Sequence, residues 1–258
     1  MIPENVIEEV TGRVSKSVDR VLTDQKEGRI ETEPSLTDRL LANIERDFED
    51  QQFPLNNQTI RLRARTLRDR GRNAPEHIYG ADLTTVLSVD IKDYKINKGV
   101  LAQSKSIDNA VIKCSSTINS PYFNNTYFLT NPYNLKNITV AYEKTGTIEF
   151  DFPKTEFDRL KEQCELMLKV TPDSFVYLYC SDDIYVIPAC AVDSKARTGT
   201  KVSFYCKNFK AFISDYLKSF IGDIHLDGTT DSDFDKLIKR ADSRHLLYLQ
   251  LTDNNASR

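Results

Sequence analysis

An apolar residue returns at every fourth position through Val6, Val10, Val14, Val18 and Leu22, which predicts an N-terminal helix with one apolar stripe. Such a stripe has to be covered, either by the chain's own core or by a second copy in a homo-oligomer. A second helix is predicted over about 35 to 49 from EPSLTDRLLANIERDF, where Leu36, Leu40, Leu41, Ile44 and Phe48 share a face and Pro34 with a Ser35 to Asp38 capping box marks the start. The pattern then changes to a period of two. In TIRLRARTL, Arg61, Arg63 and Arg65 alternate with Leu62 and Ala64, so an extended strand carries three guanidinium groups on one side, and Arg68, Arg70 and Arg72 follow. This run is either a solvated face or a phosphate-contacting surface.

Two β-rich runs, ADLTTVLSVDI and KGVLAQSKSI, are separated by the polar stretch Lys92 to Lys98 and predict an antiparallel hairpin. KTEFDRLKEQCELMLKV predicts a helix ending at Thr171-Pro172. SFVYLYC and IYVIPACAV predict a second hairpin, VSFYC a further edge strand, FKAFISDYLKSFIGDI and DSDFDKLIKRA two helices, and LLYLQL a last strand. Residues 107 to 152 show short β-type runs such as TVAY and TIEF without a clear order. With no repeat and no low-complexity linker, the expected organisation is an N-terminal amphipathic helix or arm over 1–30 and a single α/β domain over 31–258.

Composition narrows the chemistry. No apolar run approaches the roughly 18 residues of a membrane span, and the first residues lack the regions of a signal peptide, so the expectation is a soluble, cytoplasmic protein with no membrane partner. The five cysteines form no CxxC pair, and His77, His225 and His245 are scattered. A metal would therefore sit on carboxylates, which favours Mg²⁺ (or Mn²⁺) over zinc. A net charge of −3 argues against a general nucleic-acid coat but leaves room for a local basic patch.

In the first hairpin, pairing Asp82 opposite Lys105 and Thr84 opposite Gln103 brings Asp82, Gln103 and Lys105 to one face, with Ala102 and Ser104 on the other. A carboxylate, an amide oxygen and an ammonium so placed suit phosphodiester hydrolysis on a divalent cation. The amide of Gln103 brings no negative charge, so a further acid is needed. Glu33 is the first choice, and Glu45 on the same helix is the reserve. Each residue also has a plainer reading: Asp82 as a turn former, Lys105 as an edge-strand gatekeeper, Gln103 as a half-exposed sheet residue and Glu33 as a partner of the helix dipole.

The helix bearing an acid, then Gly80-Ala-Asp82, then Gly99-Val-Leu-Ala-Gln103-Ser-Lys105, resembles the core of PD-(D/E)XK nucleases in its QxK variant, as in Mrr-like and RecB-like members. Gln163 in LKEQCELML is similar to the glutamine-bearing helix that follows the hairpin there. The resemblance runs over about residues 31 to 190 and departs from the usual motif at Gln103. It implies a restriction-endonuclease-like fold, a central mixed sheet flanked by helices, here with an N-terminal helix and C-terminal helical additions. It also implies Mg²⁺-dependent DNA cleavage, with Asp82, Gln103, Lys105 and Glu33 as site residues and the arginines from Arg61 to Arg72 as nucleic-acid contacts. Restriction or antiphage defence in bacteria follows by analogy. The alternative is an inactive nuclease-fold module that binds nucleic acid or assembles a complex.

Overall fold

Ten strands join into one mixed sheet in the computed structural model, which describes residues 1–30, 32–49, 51–55, 58–68, 81–92, 94–107, 110–114, 145–196, 199–241 and 243–253. In chain order the strands are β1 (Gln51–Leu55), β2 (Gln58–Arg68), β3 (Ala81–Ile91), β4 (Tyr94–Ser106), β5 (Ala110–Cys114), β6 (Thr145–Asp151), β7 (Ser174–Tyr179), β8 (Ile184–Pro188), β9 (Lys201–Asn208) and β10 (Ser243–Asp253). They lie side by side as β1-β2-β10-β3-β4-β7-β8-β9-β6-β5. β10 runs parallel to β3 and β7 parallel to β4, while the remaining pairs are antiparallel. The helices are α1 (Glu4–Lys26), α2 (Glu33–Asp47), α3 (Lys154–Val170), α4 (Ala189–Asp193), α5 (Phe209–Leu217) and α6 (Asp231–Ala241).

The two faces of the sheet bury separate cores. On one, α1, α2 and α5 pack over Leu83, Leu87, Ala102 and Tyr177; on the other, α3, α4 and α6 pack over Val86, Leu101, Val176 and Leu246. The valine stripe of α1 lies wholly within the first core, with Val6, Val10, Val14, Val18 and Leu22 all buried. A homo-oligomer through that stripe therefore loses its basis, because burial against α2 and α5 already satisfies the apolar face.

Several sequence expectations are corrected in detail. α2 begins at Glu33, after Thr32 and with Pro34 in its first turn, so Ser35 is inside the helix and its hydroxyl meets that of Thr32 (2.7 Å). β4 begins at Tyr94, not at Lys98, because Tyr94 and Ile96 continue the alternation and pack against the first core. The pairing Ile91↔Tyr94 carries the ladder to the ends of both strands. IYVIPACAV turns into the short α4 at Pro188, and VSFYC becomes β9, inside the sheet between β8 and β6 rather than at an edge. TIEF belongs to β6, while TVAY lies outside the described residues. α5 stops at Leu217, followed by Ser219 in the left-handed region (φ 66°). LLYLQL is the middle of β10, threaded between β2 and β3.

Candidate active site

The hairpin β3–β4 fixes the centre of the site. Its register is Leu83↔Ala102 and Thr84↔Leu101, so the position facing Asp82 is Gln103, not Lys105. The observed pairing differs from the expected one by two positions, an even number, which leaves every side chain on the face it was assigned to. Asp82 and Gln103 meet directly: Gln103 Nε2 donates to Asp82 Oδ2 at 2.5 Å, and the Ser104 backbone N–H donates to the same oxygen at 2.9 Å. Ser104 and Ala102 do point the other way. The Ser104 hydroxyl accepts from Thr37 of α2 at 2.9 Å, and Ala102 lies in the first core.

Glu33 completes the group. As the first residue of α2 it stands beyond the end of β4, where its Oε1 accepts from Lys105 Nζ at 2.8 Å and its Oε2 from the Ser106 backbone N–H at 3.1 Å. The pair is sheltered, with side-chain exposures of 18% for Lys105 and 29% for Glu33. Glu45 lies elsewhere: its Oε1 accepts from the Thr66 backbone N–H at 3.3 Å and ties α2 to β2. Behind the site, the Thr37 hydroxyl contacts Ser104 and approaches Tyr179 Oη (3.5 Å), fixing α2 on β4 and hence Glu33 beside Lys105.

Electrostatics mark Asp82. Burial of its carboxyl pushes the pKa up to about 6, against the lowering effect of the Ser104 N–H and of Lys105, while the Glu33 charge raises it further. Glu33 and Lys105, bonded to each other, thus both act on the Asp82 carboxyl, in opposite directions. Arg244, level with Asp82 on β10, also acts on that carboxyl, lowering it.

The oxygen donors a hard cation would have here are few. Among the described residues no three His, Cys, Asp or Glu side chains form a metal cluster, so a cation must rely on Asp82 and Glu33 with an amide. Gln103 supplies that amide: it is 2% exposed, and its Oε1 is buried without a hydrogen-bond partner. A buried carbonyl oxygen left unpaired is costly, and since the amide presents its Nε2 to Asp82, this oxygen would reach a cation on that carboxylate only after the amide turns over.

Gln163 lies on α3 beside the buried Cys164, whose thiol feels the Lys105 charge; its Oε1 is also buried without a hydrogen-bond partner among the described residues. Arg61, Arg63 and Arg65 of β2 do not gather at this site. They alternate as expected, with Leu62 buried in the first core, Arg63 and Arg65 exposed, and Arg61 half-buried. Arg65 pairs with Asp231 of α6 at 2.7 Å. Arg65 lies opposite Tyr248, which lies opposite Val86, so it is four residues from Asp82 along the sheet, about 13 Å, and Arg61 is about twice as far. Arg68 closes β2 at the site's end of the sheet, while Arg70 and Arg72 lie outside the described residues.

Sequence reading missed Arg244 and the backbone N–H groups of Ser104 and Ser106. An Arg just before a β-rich run carries no local signal of its own; only the insertion of β10 beside β3 brings it to Asp82. Comparisons with family models, with characterised proteins and with solved structures gave no match.

Proposed function

We propose that this protein is a divalent-cation-dependent nuclease, of PD-(D/E)XK type, that hydrolyses phosphodiester bonds in DNA. The observation that carries the reading is the meeting of Asp82, Gln103, Lys105 and Glu33 from three separate segments at one end of the sheet. Asp82, Glu33 and the Gln103 carbonyl would hold Mg²⁺ or Mn²⁺, which supplies charge stabilisation at phosphorus and a more acidic water. Hydrolysis adds a water oxygen to phosphorus, breaks one P–O ester bond and returns a proton to the leaving oxygen. Lys105 is placed to stabilise the negative charge that develops on the phosphoryl oxygens, once its bond to Glu33 loosens. With no cation bound, Asp82 is ionised above about pH 6.

A thiol hydrolase is disfavoured at Cys164 and Cys180, because burial pushes both thiols up to about 12. A second reading does have an observation behind it. Glu33 and Lys105 satisfy each other, and Gln103 satisfies Asp82 through its NH₂, as in a nuclease fold that has lost catalysis and serves to bind nucleic acid.

Incubation of the purified chain with supercoiled plasmid and Mg²⁺ or Mn²⁺ separates the two. Nicked or linear product is expected, lost at least 100-fold in Asp82→Ala and Lys105→Ala and abolished by EDTA. Equal cutting by those variants and the parent would sink the site assignment. Salt-sensitive DNA binding with no cleavage in any metal would select the second reading.

A further inference from the structure

The charges at the site do not favour a phosphate without help. With Asp82 and Glu33 ionised and Lys105 held by Glu33, the four residues named so far carry one net negative charge before any cation arrives, and a phosphodiester brings another. Arg244 offsets that charge from the neighbouring strand. It is the second residue of β10, between the pairs Ser243↔Ala81 and His245↔Leu83, and so stands level with Asp82. Its backbone is set by β3 on one side, and the pairing of β10 with β2 begins at the next residue, His245↔Arg68. Its side chain is exposed and, among the described residues, makes no hydrogen bond or ion pair. Other arginines around α2 are engaged, Arg29 and Arg39 both on Asp24 at 2.8 Å.

Resting on the nuclease reading, we propose that Arg244 is the substrate-binding residue that seats the phosphodiester, taking its non-bridging oxygens on the side of Asp82 away from Lys105. A planar guanidinium suits this role, because two parallel N–H groups can engage one phosphate and orient it, where a lysine offers a point charge. Asp82 lies between the two cations along the row of strands β10, β3 and β4, so a phosphate reaching the Asp82 end of the sheet meets a positive group on either side.

The test compares the full-length parent with Arg244→Ala, Arg244→Lys and, as a charge-matched control on the exposed face of α3, Arg159→Ala. Two measurements are made: cleavage of a fluorescent DNA duplex in Mg²⁺ across a salt series, and anisotropy binding of the same duplex in EDTA. Arg244→Ala is expected to raise KM about 10-fold with kcat changed less than about 3-fold, and to flatten the salt dependence of binding by about one phosphate contact. Arg244→Lys recovers part of the loss and Arg159→Ala matches the parent. If the parent cuts and Arg244→Ala keeps the parent's KM and salt slope, or loses kcat alone, the Arg244 proposal is overturned while the nuclease reading stands. If the parent binds without cutting, the nuclease reading fails and the EDTA binding decides Arg244 by itself: weaker binding in Arg244→Ala supports the contact, and equal binding removes it. A parent that neither binds nor cuts overturns both.

Discussion

Asp82 is a carboxylate held at a cost to stability. Its folded pKa of about 6 lies above the usual carboxylate value of 3.8, so the fold favours the protonated acid. Stability from this group is fully present below about pH 4 and is lost as pH rises through 6, because ionised Asp82 is then held in a site that penalises its charge. Asp82→Asn keeps an oxygen to accept from the Ser104 N–H and removes the charge. It is expected to raise the melting temperature at pH 7.5, with a gain of at most about 3 kcal/mol, and to show no advantage at pH 4. Thermal melts at the two pH values check this. A variant equally or less stable than the parent at pH 7.5 would mean that the carboxylate is not strained there. The same titration predicts that cleavage rises as pH increases through about 6, with the rise displaced to lower pH at high Mg²⁺, since a bound cation favours the ionised form.

Elements were legible where their period is local. α1, α3 and α6 follow the recurrence of their apolar residues, and the faces of β3 and β4 survived a register shift of two because strand parity repeats every two residues. Lys98 was not legible. A lysine next to a glycine reads as a turn, yet it is 1% exposed, with Nζ donating to the Ile221 carbonyl at 2.7 Å and lying over the Tyr216 ring. Its partners come from a segment more than 100 residues away, which no local pattern announces. Gly99 belongs to the same junction. The loop after α5 crosses β4 so closely that a Cβ on Gly99 would sit 2.6 Å from the Leu226 carbonyl oxygen and 2.7 Å from Leu226 Cβ. The neighbouring atoms are backbone and first side-chain carbon, which cannot swing aside. Gly99→Ala is therefore expected to cost about 1–3 kcal/mol and to lower the melting temperature by several degrees in a chain of this size. A melt unchanged from the parent would show that the loop can lift off β4 at no cost.

At the scale of the whole molecule, the last described strand holds the sheet together. β10 pairs along its length with β2 on one side, from His245↔Arg68 to Asp253↔Ile60, and with β3 on the other, from Ser243↔Ala81 to Thr252↔Asp90. It also feeds both cores, with Leu247, Leu249 and Leu251 on the α1–α2 side and Leu246 and Tyr248 on the α3–α6 side. A reading along the chain sees LLYLQL as a late addition, because sheet order depends on contacts between segments far apart in sequence. Its consequence is that β3, which carries Asp82, has β10 as one of its two strand neighbours, so the site depends on the last described strand. Ending the chain after Ala241 would leave β2 and β3 with facing ladders unpaired in the interior and two cores opened. Each buried leucine lost costs about 2–5 kcal/mol, so several together exceed the 5–15 kcal/mol that holds a domain folded. The truncated chain is expected to show no cooperative thermal transition by circular dichroism. A cooperative melt near that of the full chain would mean that β2 can close onto β3 directly, and that β10 is an accessory strand.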